Sequence, residues 1–186
     1  LFKTKFGPDG NPIEPNRYRI VWMPGCPYAN KTVITWNLLG LNDVISLAQT
    51  SILRTPLGWA FGPDNTNSKT IEEINEEFNK GIEYRLSNQE TNPIDGQYLP
   101  VDPVLGVHYL HEIYWRSNPD YVGRSTVPTI VDIKTGKAAN NDHHYIPLYL
   151  ARDWKVFHKK NAPNLYPKGL EKDIDELNDW ILKRIR

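Results

Sequence analysis

The 186-residue chain has a single cysteine, Cys26. One thiol excludes an internal disulfide framework and a zinc site built on cysteines. The chain also lacks net charge, since 22 Lys and Arg balance 22 Asp and Glu. That balance removes any general pull toward nucleic acid or an anionic membrane surface. No apolar run approaches the roughly 20 residues that a membrane-spanning helix needs. The first residue is Leu1 rather than methionine, and no basic, apolar and small-residue succession marks a secretory signal. The chain therefore reads as a fragment, and its free cysteine fits a reducing, cytoplasmic home better than secretion. Aromatic residues are not lacking. Six Trp, 10 Tyr and 5 Phe supply mass for a packed core.

Residues 1–16 hold Pro8, Pro12 and Pro15 with Gly7 and Gly10, and read as an irregular arm. Arg17 to Met23 is rich in β-branched and aromatic residues, a buried strand. Pro24-Gly25-Cys26-Pro27 breaks it, and Pro27 suits the first turn of a helix ended by Gly40. Val44 to Thr50 is a second strand, completing a parallel βαβ unit. Ser51 to Thr70 reads as loop. Thr70 with Glu73 forms a capping box that opens an acidic helix to about Arg85. Its Glu72, Glu73, Glu76 and Glu77 read as a solvated face. Val104, Val107, Leu110, Ile113 and Tyr114 then recur at helical spacing from Pro103. Thr126 to Ile133, a Lys134–Lys137 turn and Lys137 to Asn140 make a hairpin. Asp142 caps a further helix to about Arg152, with Pro147 delaying its start or kinking it. A Pro- and Asn-bearing linker leads to Leu170, Ile174, Leu177, Ile181 and Ile185, an amphipathic helix. Its apolar stripe needs cover, so it reads as the first helix of a truncated all-α domain. A βαβ half followed by an αββα half, with Pro128 entering the third strand, is a thioredoxin-like α/β arrangement.

Cys26 stands where the first strand turns into a helix. Unpaired N–H groups and the positive dipole end at such a place favour a thiolate over a thiol. Cys26 is thus a candidate nucleophile, against the alternative of a buried, inert cysteine. Ala29 occupies the place where a dithiol oxidoreductase has its second cysteine. A mixed disulfide on Cys26 must then be resolved by an external thiol, for which glutathione is the obvious candidate. Lys31, one turn on, adds charge near the thiol or is simply a solvated lysine. Val127-Pro128 has two readings. A cis bond would let Val127 offer its backbone N–H and C=O to an extended ligand, whereas a trans bond would mark an edge strand. The five histidines fall in no recognised ligand spacing, which argues against a metal site.

The motifs RYRIVWMPGCPYANKTVI, GLNDVIS, GWAF, DPVLG with YLHEIY, NPDYVGRSTVPTIVDIKTGK and NND follow in order. Together they resemble the xi-class glutathione transferases, also called glutathionyl-hydroquinone reductases. LYPKGLEKDIDELNDWI resembles that family's lead into its helical domain, so the likeness runs from about residue 17 to 182. The resemblance implies a thioredoxin-like glutathione transferase domain over 1–153, with an acidic insertion near 66–98. Residues 154–186 would be the linker and the first helix of the second domain. It implies that Cys26 is catalytic, that Trp59 lines the glutathione site and that Val127 with Pro128 clamps the tripeptide. Arg124 would lie near a ligand carboxylate, or in a structural ion pair. Glutathione would be co-substrate and no metal would be needed. The substrates would be a small thiol and a quinone-type or disulfide compound, with no nucleic acid or membrane partner, and a homodimer would be compatible. The family's aromatic residues for the quinone ring lie in its helical domain. The chain departs at Tyr28, where the family has tryptophan, and at Asp142-His143, where it has Glu-Ser for the γ-glutamyl group. Asp142 reaches one methylene less, and His143 puts a ring in place of a small hydroxyl. The competing expectations are a non-catalytic thioredoxin-fold interaction module and a monothiol thioltransferase or dehydroascorbate reductase.

Overall fold

A computed structural model describes residues 1–55, 58–61 and 101–184. The acidic helix expected at 70–85, and most of the insertion placed near 66–98, lie outside the described residues. Strand β1 (Tyr18–Trp22) is the centre of a five-stranded sheet ordered β3-β2-β1-β4-β5. It pairs in parallel with β2 (Ile45–Thr55), Tyr18 opposite Ile45, and antiparallel with β4 (Thr129–Asp132), Tyr18 opposite Asp132. A parallel pair needs a crossover, and α1 (Pro27–Leu39) supplies it. Gly40 closes α1 at φ +71°, donating to the Asn37 and Trp36 carbonyls, as a left-handed helix cap does. Strand β5 (Lys137–Asn140) returns along β4. Helix α2 (Leu110–Ser117) precedes β4, and α3 (Ile146–Arg152) follows β5. This is the thioredoxin-like arrangement.

The run Tyr18–Val21 is apolar at nearly every position because both sheet faces are covered. Tyr18, Ile20 and Ile130 pack toward α1 and α3 with Phe6, Trp36, Leu150 and Trp154. Val21 and Val131 point the other way, among Leu110, Ile113, Tyr114 and Phe61. Arg19 on that second face is buried and donates through Nε and Nη2 to Asp102 at 3.0 and 2.8 Å. A buried guanidinium needs such a partner, because an unpaired charge there would be costly.

Two expectations about where elements lie are corrected. The stretch read as loop after Thr50 contains the end of β2 and a further strand, β3 (Gly58–Phe61), antiparallel to β2. Gly58 holds φ +98°, and a Cβ there would lie 2.5 Å from Ser125 Oγ, so a glycine seats Trp59 beside that segment. The helix expected from Pro103 begins only at Leu110. The Asp102 carboxylate accepts from the Val104 and Leu105 N–H groups, forming a turn, and Gly106 takes φ +62°. The arm is irregular, as expected, and it is packed: Phe6 is buried in the core and Lys3 bridges to Asn140.

The helix after Asp142 starts late, with Pro147 in its first turn, but Asp142 is not its cap: Tyr145 is the N-cap of α3 and no side chain caps it. The Asp142 carbonyl instead accepts from Tyr145 and Ile146 in the turn before the helix. Past it, Trp154 is fully buried and Lys159 N–H donates to the Leu39 carbonyl at the end of α1. Helix α4 (Glu171–Arg184) is amphipathic, and none of its residues is buried; Leu177 and Trp180 are exposed.

Candidate active site

Cys26 is the N-cap of α1, its carbonyl accepting from Asn30 N–H at 2.9 Å. The thiol is half-buried and free, and Sγ donates a long contact to the Val127 carbonyl at 3.8 Å. The Val127–Pro128 peptide bond is cis. A cleft of about 480 Å³ opens beside this pair, of a size suited to a small ligand. Cys26, Trp59, Arg124, Val127, Asp142 and His143 all line it. Pro128 is buried behind them. Residues that are more than 110 positions apart in the sequence thus share one cavity, because β1 and β4 are adjacent and their ends carry Cys26 and Val127.

Each wall has its own support. Arg124 is exposed and makes no ion pair among the described residues. The loop carrying it is closed by Tyr121, whose hydroxyl donates to the Arg124 carbonyl at 2.9 Å. Asp142 N–H donates to Asn140 Oδ1, fixing the turn into α3. Its carboxylate is already engaged: Oδ2 lies 3.2 Å from Lys3 Nζ, and Oδ1 accepts from His144 N–H at 3.2 Å. The His143 ring packs against Tyr28, centroids 4.4 Å apart. Burial, and then the nearby Lys31 ammonium, hold His143 below the usual histidine range, against the opposing pull of Asp142. Burial likewise pushes the Lys31 ammonium down. Lys31 therefore acts electrostatically on the Asp142–His143 end.

Lys3 and Tyr28 line the cleft too, and the sequence reading assigned neither a ligand role. Tyr28 follows Cys26-Pro27 and could have been found from that placement. Lys3 carries no local signal, since its contact spans 139 residues. Among the described residues no cluster of three or more His, Cys, Asp or Glu side chains could hold a metal. No described helix is long and apolar enough to cross a membrane.

No family model matches the chain. Comparison with known proteins nevertheless finds relatives along nearly all of it. A glutathionyl-hydroquinone reductase of Escherichia coli is 27% identical over 175 residues, covering 94% of this chain and 44% of that protein. The crystal structure of a glutathione transferase from Gordonia bronchialis superposes with a TM-score of 0.72 at 32% identity, covering 98% of this chain and 47% of that one. A xi-class glutathione transferase from Natrialba magadii gives a TM-score of 0.72 at 26% identity, over 99% of this chain and 48% of that one. The chain is thus similar to xi-class glutathione transferases and to glutathionyl-hydroquinone reductases. It spans about half the length of the curated relatives it matches.

At one end of the cleft the Tyr28–His143 ring pair and the Lys3–Asp142 ion pair stand together.

Proposed function

We propose that the protein is a glutathione-dependent thiol transferase and reductase that works through Cys26, and that its reaction is the reductive deglutathionylation of glutathionyl-hydroquinones. The observation that carries this reading is the cleft itself, in which a free N-cap cysteine faces the Val127 carbonyl with two cations and one carboxylate further along. Glutathione has two carboxylates and one ammonium, so Lys3, Arg124 and Asp142 complement its charges one for one. The glutathionyl-hydroquinone reductase among the relatives supports the choice of substrate class.

The chemistry follows from the thiol. The Cys26 thiolate attacks the sulfur of the glutathionyl thioether, and the bond between that sulfur and the ring carbon breaks. Its electron pair stays on the ring carbon, which takes a proton and becomes the hydroquinone C–H. Cys26 is left in a mixed disulfide with glutathione. A second glutathione thiolate attacks the glutathione sulfur of that disulfide, releasing oxidised glutathione and the Cys26 thiolate. Two glutathione sulfurs are oxidised to a disulfide and one carbon–sulfur bond is reduced, so electrons balance. Position 29 being Ala29, no internal thiol competes for the resolving step. The Cys26 sulfur starts beside the Val127 carbonyl, and the Val127 backbone is the group that would align the cysteinyl part of the ligand.

The test is turnover of a glutathionyl-hydroquinone with excess glutathione, parent protein against Cys26→Ser. Hydroquinone and oxidised glutathione should form in equal amounts with the parent. Turnover retained by Cys26→Ser would refute the mechanism.

A further inference from the structure

Besides the Cys26 wall, Trp59 and Leu182, three stretches of chain line the cleft: the arm with Leu1 and Lys3, the Arg124–Val127 segment, and Asn141–His143. The last two meet at the hydroxyl of Tyr114, a residue of α2 that is wholly buried and does not itself line the cavity, and the arm joins them through Asn141. Donor counting orders the bonds. Thr129 Oγ1 donates to the Thr126 carbonyl at 2.6 Å, so it accepts from the Tyr114 O–H at 2.9 Å, a hydrogen that also reaches the Thr126 carbonyl at 3.1 Å. The phenol oxygen then accepts from Asn141 Nδ2 at 2.7 Å and from Thr126 N–H at 3.2 Å. One donor and two acceptors are the full capacity of a phenol. Asn141 extends the junction to the arm, its N–H donating to the Phe2 carbonyl and its Oδ1 accepting from Phe2 N–H, at 2.9 and 2.8 Å. The Phe2 ring meets the Tyr114 ring edge-on, centroids 5.1 Å apart.

We infer that Tyr114 is a positioning residue for the cleft: its hydroxyl holds the Thr126–Thr129 turn, the Asn140–Asp142 junction and the arm in one register. Val127 and Pro128 lie between the two threonines it ties down. Asp142 follows the asparagine it ties down. The backbone that would clamp a ligand's cysteinyl part and the carboxylate that would meet its ammonium thus share one buried anchor. What that register serves rests on the glutathione reading; the register itself does not.

The experiment compares Tyr114→Phe with Tyr18→Phe. Tyr18 is also wholly buried and also spends its hydroxyl on one backbone carbonyl, that of Pro12 at 2.7 Å, but it packs on the opposite face of the sheet. Thr129→Val, nearly the same shape without the hydroxyl, removes the same junction from its other side and carries the test should Tyr114→Phe not fold. Amide hydrogen exchange in the ligand-free protein should quicken about tenfold over 125–129 and 139–143 in Tyr114→Phe and Thr129→Val, and stay unchanged there in Tyr18→Phe. Glutathione affinity by titration calorimetry should fall about tenfold in the same two variants only. Unchanged exchange in both segments, or equal quickening with Tyr18→Phe, overturns the inference. Quickened exchange in a protein whose parent form binds no glutathione upholds the positioning role and refutes the glutathione reading instead. Quickened exchange with unchanged affinity for glutathione overturns the claim that the register serves that ligand.

Discussion

At one end of the cleft Cys26 makes a single long contact, Sγ to the Val127 carbonyl at 3.8 Å, and stays a free thiol. At the other end Asp142 is held by Lys3 and by the His144 N–H, and His143 lies against Tyr28. The first end has a reactive group left over, whereas the second has largely paired itself. The proposed reaction needs its nucleophile free and its recognition groups available when the ligand arrives. In the second end the ligand must therefore take over partners that the chain now supplies. Lys3 occupies the carboxylate that a γ-glutamyl ammonium would want. The same ammonium and the exposed Arg124 are in turn cations for the ligand's carboxylates. Chemistry and recognition are thus separable here, and substitutions at the two ends should fail in different ways.

The largest effect belongs to the cysteine end. Cys26→Ser should lower turnover of a glutathionyl-hydroquinone by a factor on the order of 10³ or more, while glutathione binding by calorimetry stays within a few-fold of the parent. At the recognition end the pattern reverses. Asp142→Ala should weaken glutathione binding about tenfold, the worth of one charge-assisted hydrogen bond, and should raise KM more than it lowers kcat. A smaller change in the opposite direction is expected from His143→Ser, which opens the space held by the ring stack. Its glutathione affinity should rise a few-fold, by about 1 kcal/mol at most. An equal loss of kcat from substitutions at both ends would dissolve the distinction between them.

His143 also gives the comparison a pH dependence. Its environment is the Tyr28 ring, the Lys31 ammonium, the Asp142 carboxylate and the His144 ring. Because the folded imidazole is held below the ordinary value of about 6.5, the unfolded chain takes up its proton first as pH falls. The stability linked to His143 is complete above about pH 6.5 and is lost below it, down to the lowered folded value. Thermal melts between about pH 7.5 and 5 should therefore show a smaller fall in Tm for His143→Ser than for the parent. The smallest effect lies outside the cleft. Tyr145 donates to Asp179 Oδ1 at 2.5 Å, which with burial pushes its hydroxyl up to about 12, and so helps to hold α4. Tyr145→Phe should quicken hydrogen exchange in α4 by roughly the worth of one part-buried hydrogen bond, about 1 kcal/mol, without changing turnover.

The same contrast governs what the sequence made legible. β1, α1 and the turn between them have strong local causes: a β-branched, aromatic run, then Cys26-Pro27, then Gly40 as a left-handed cap. Their bounds were readable to within a residue, and the thiol came with them. β3 was missed because GWAF offers two small residues and no alternation, and its pairing partner lies across a bulge in β2. The early start assigned to α2 came from Val104 and Val107, whose helical spacing is incidental to the turn that Asp102 builds. Lys3 and Tyr114 carry no local mark either. Their roles arise from contacts far along the chain, Lys3 with Asp142 and Tyr114 with Asn141 and Phe2, which no short window contains. Motifs pointed to the free thiol, while the side chains paired around Asp142 and His143 were set by tertiary folding.

The most direct measurement follows the thiol through one turnover. The protein, freed of thiols, is mixed with one equivalent of a glutathionyl-hydroquinone and analysed by intact-mass and peptide mass spectrometry. The account predicts one hydroquinone released and one glutathione bound in disulfide linkage at Cys26, removed again when free glutathione is added. Hydroquinone released with Cys26 unmodified would contradict it.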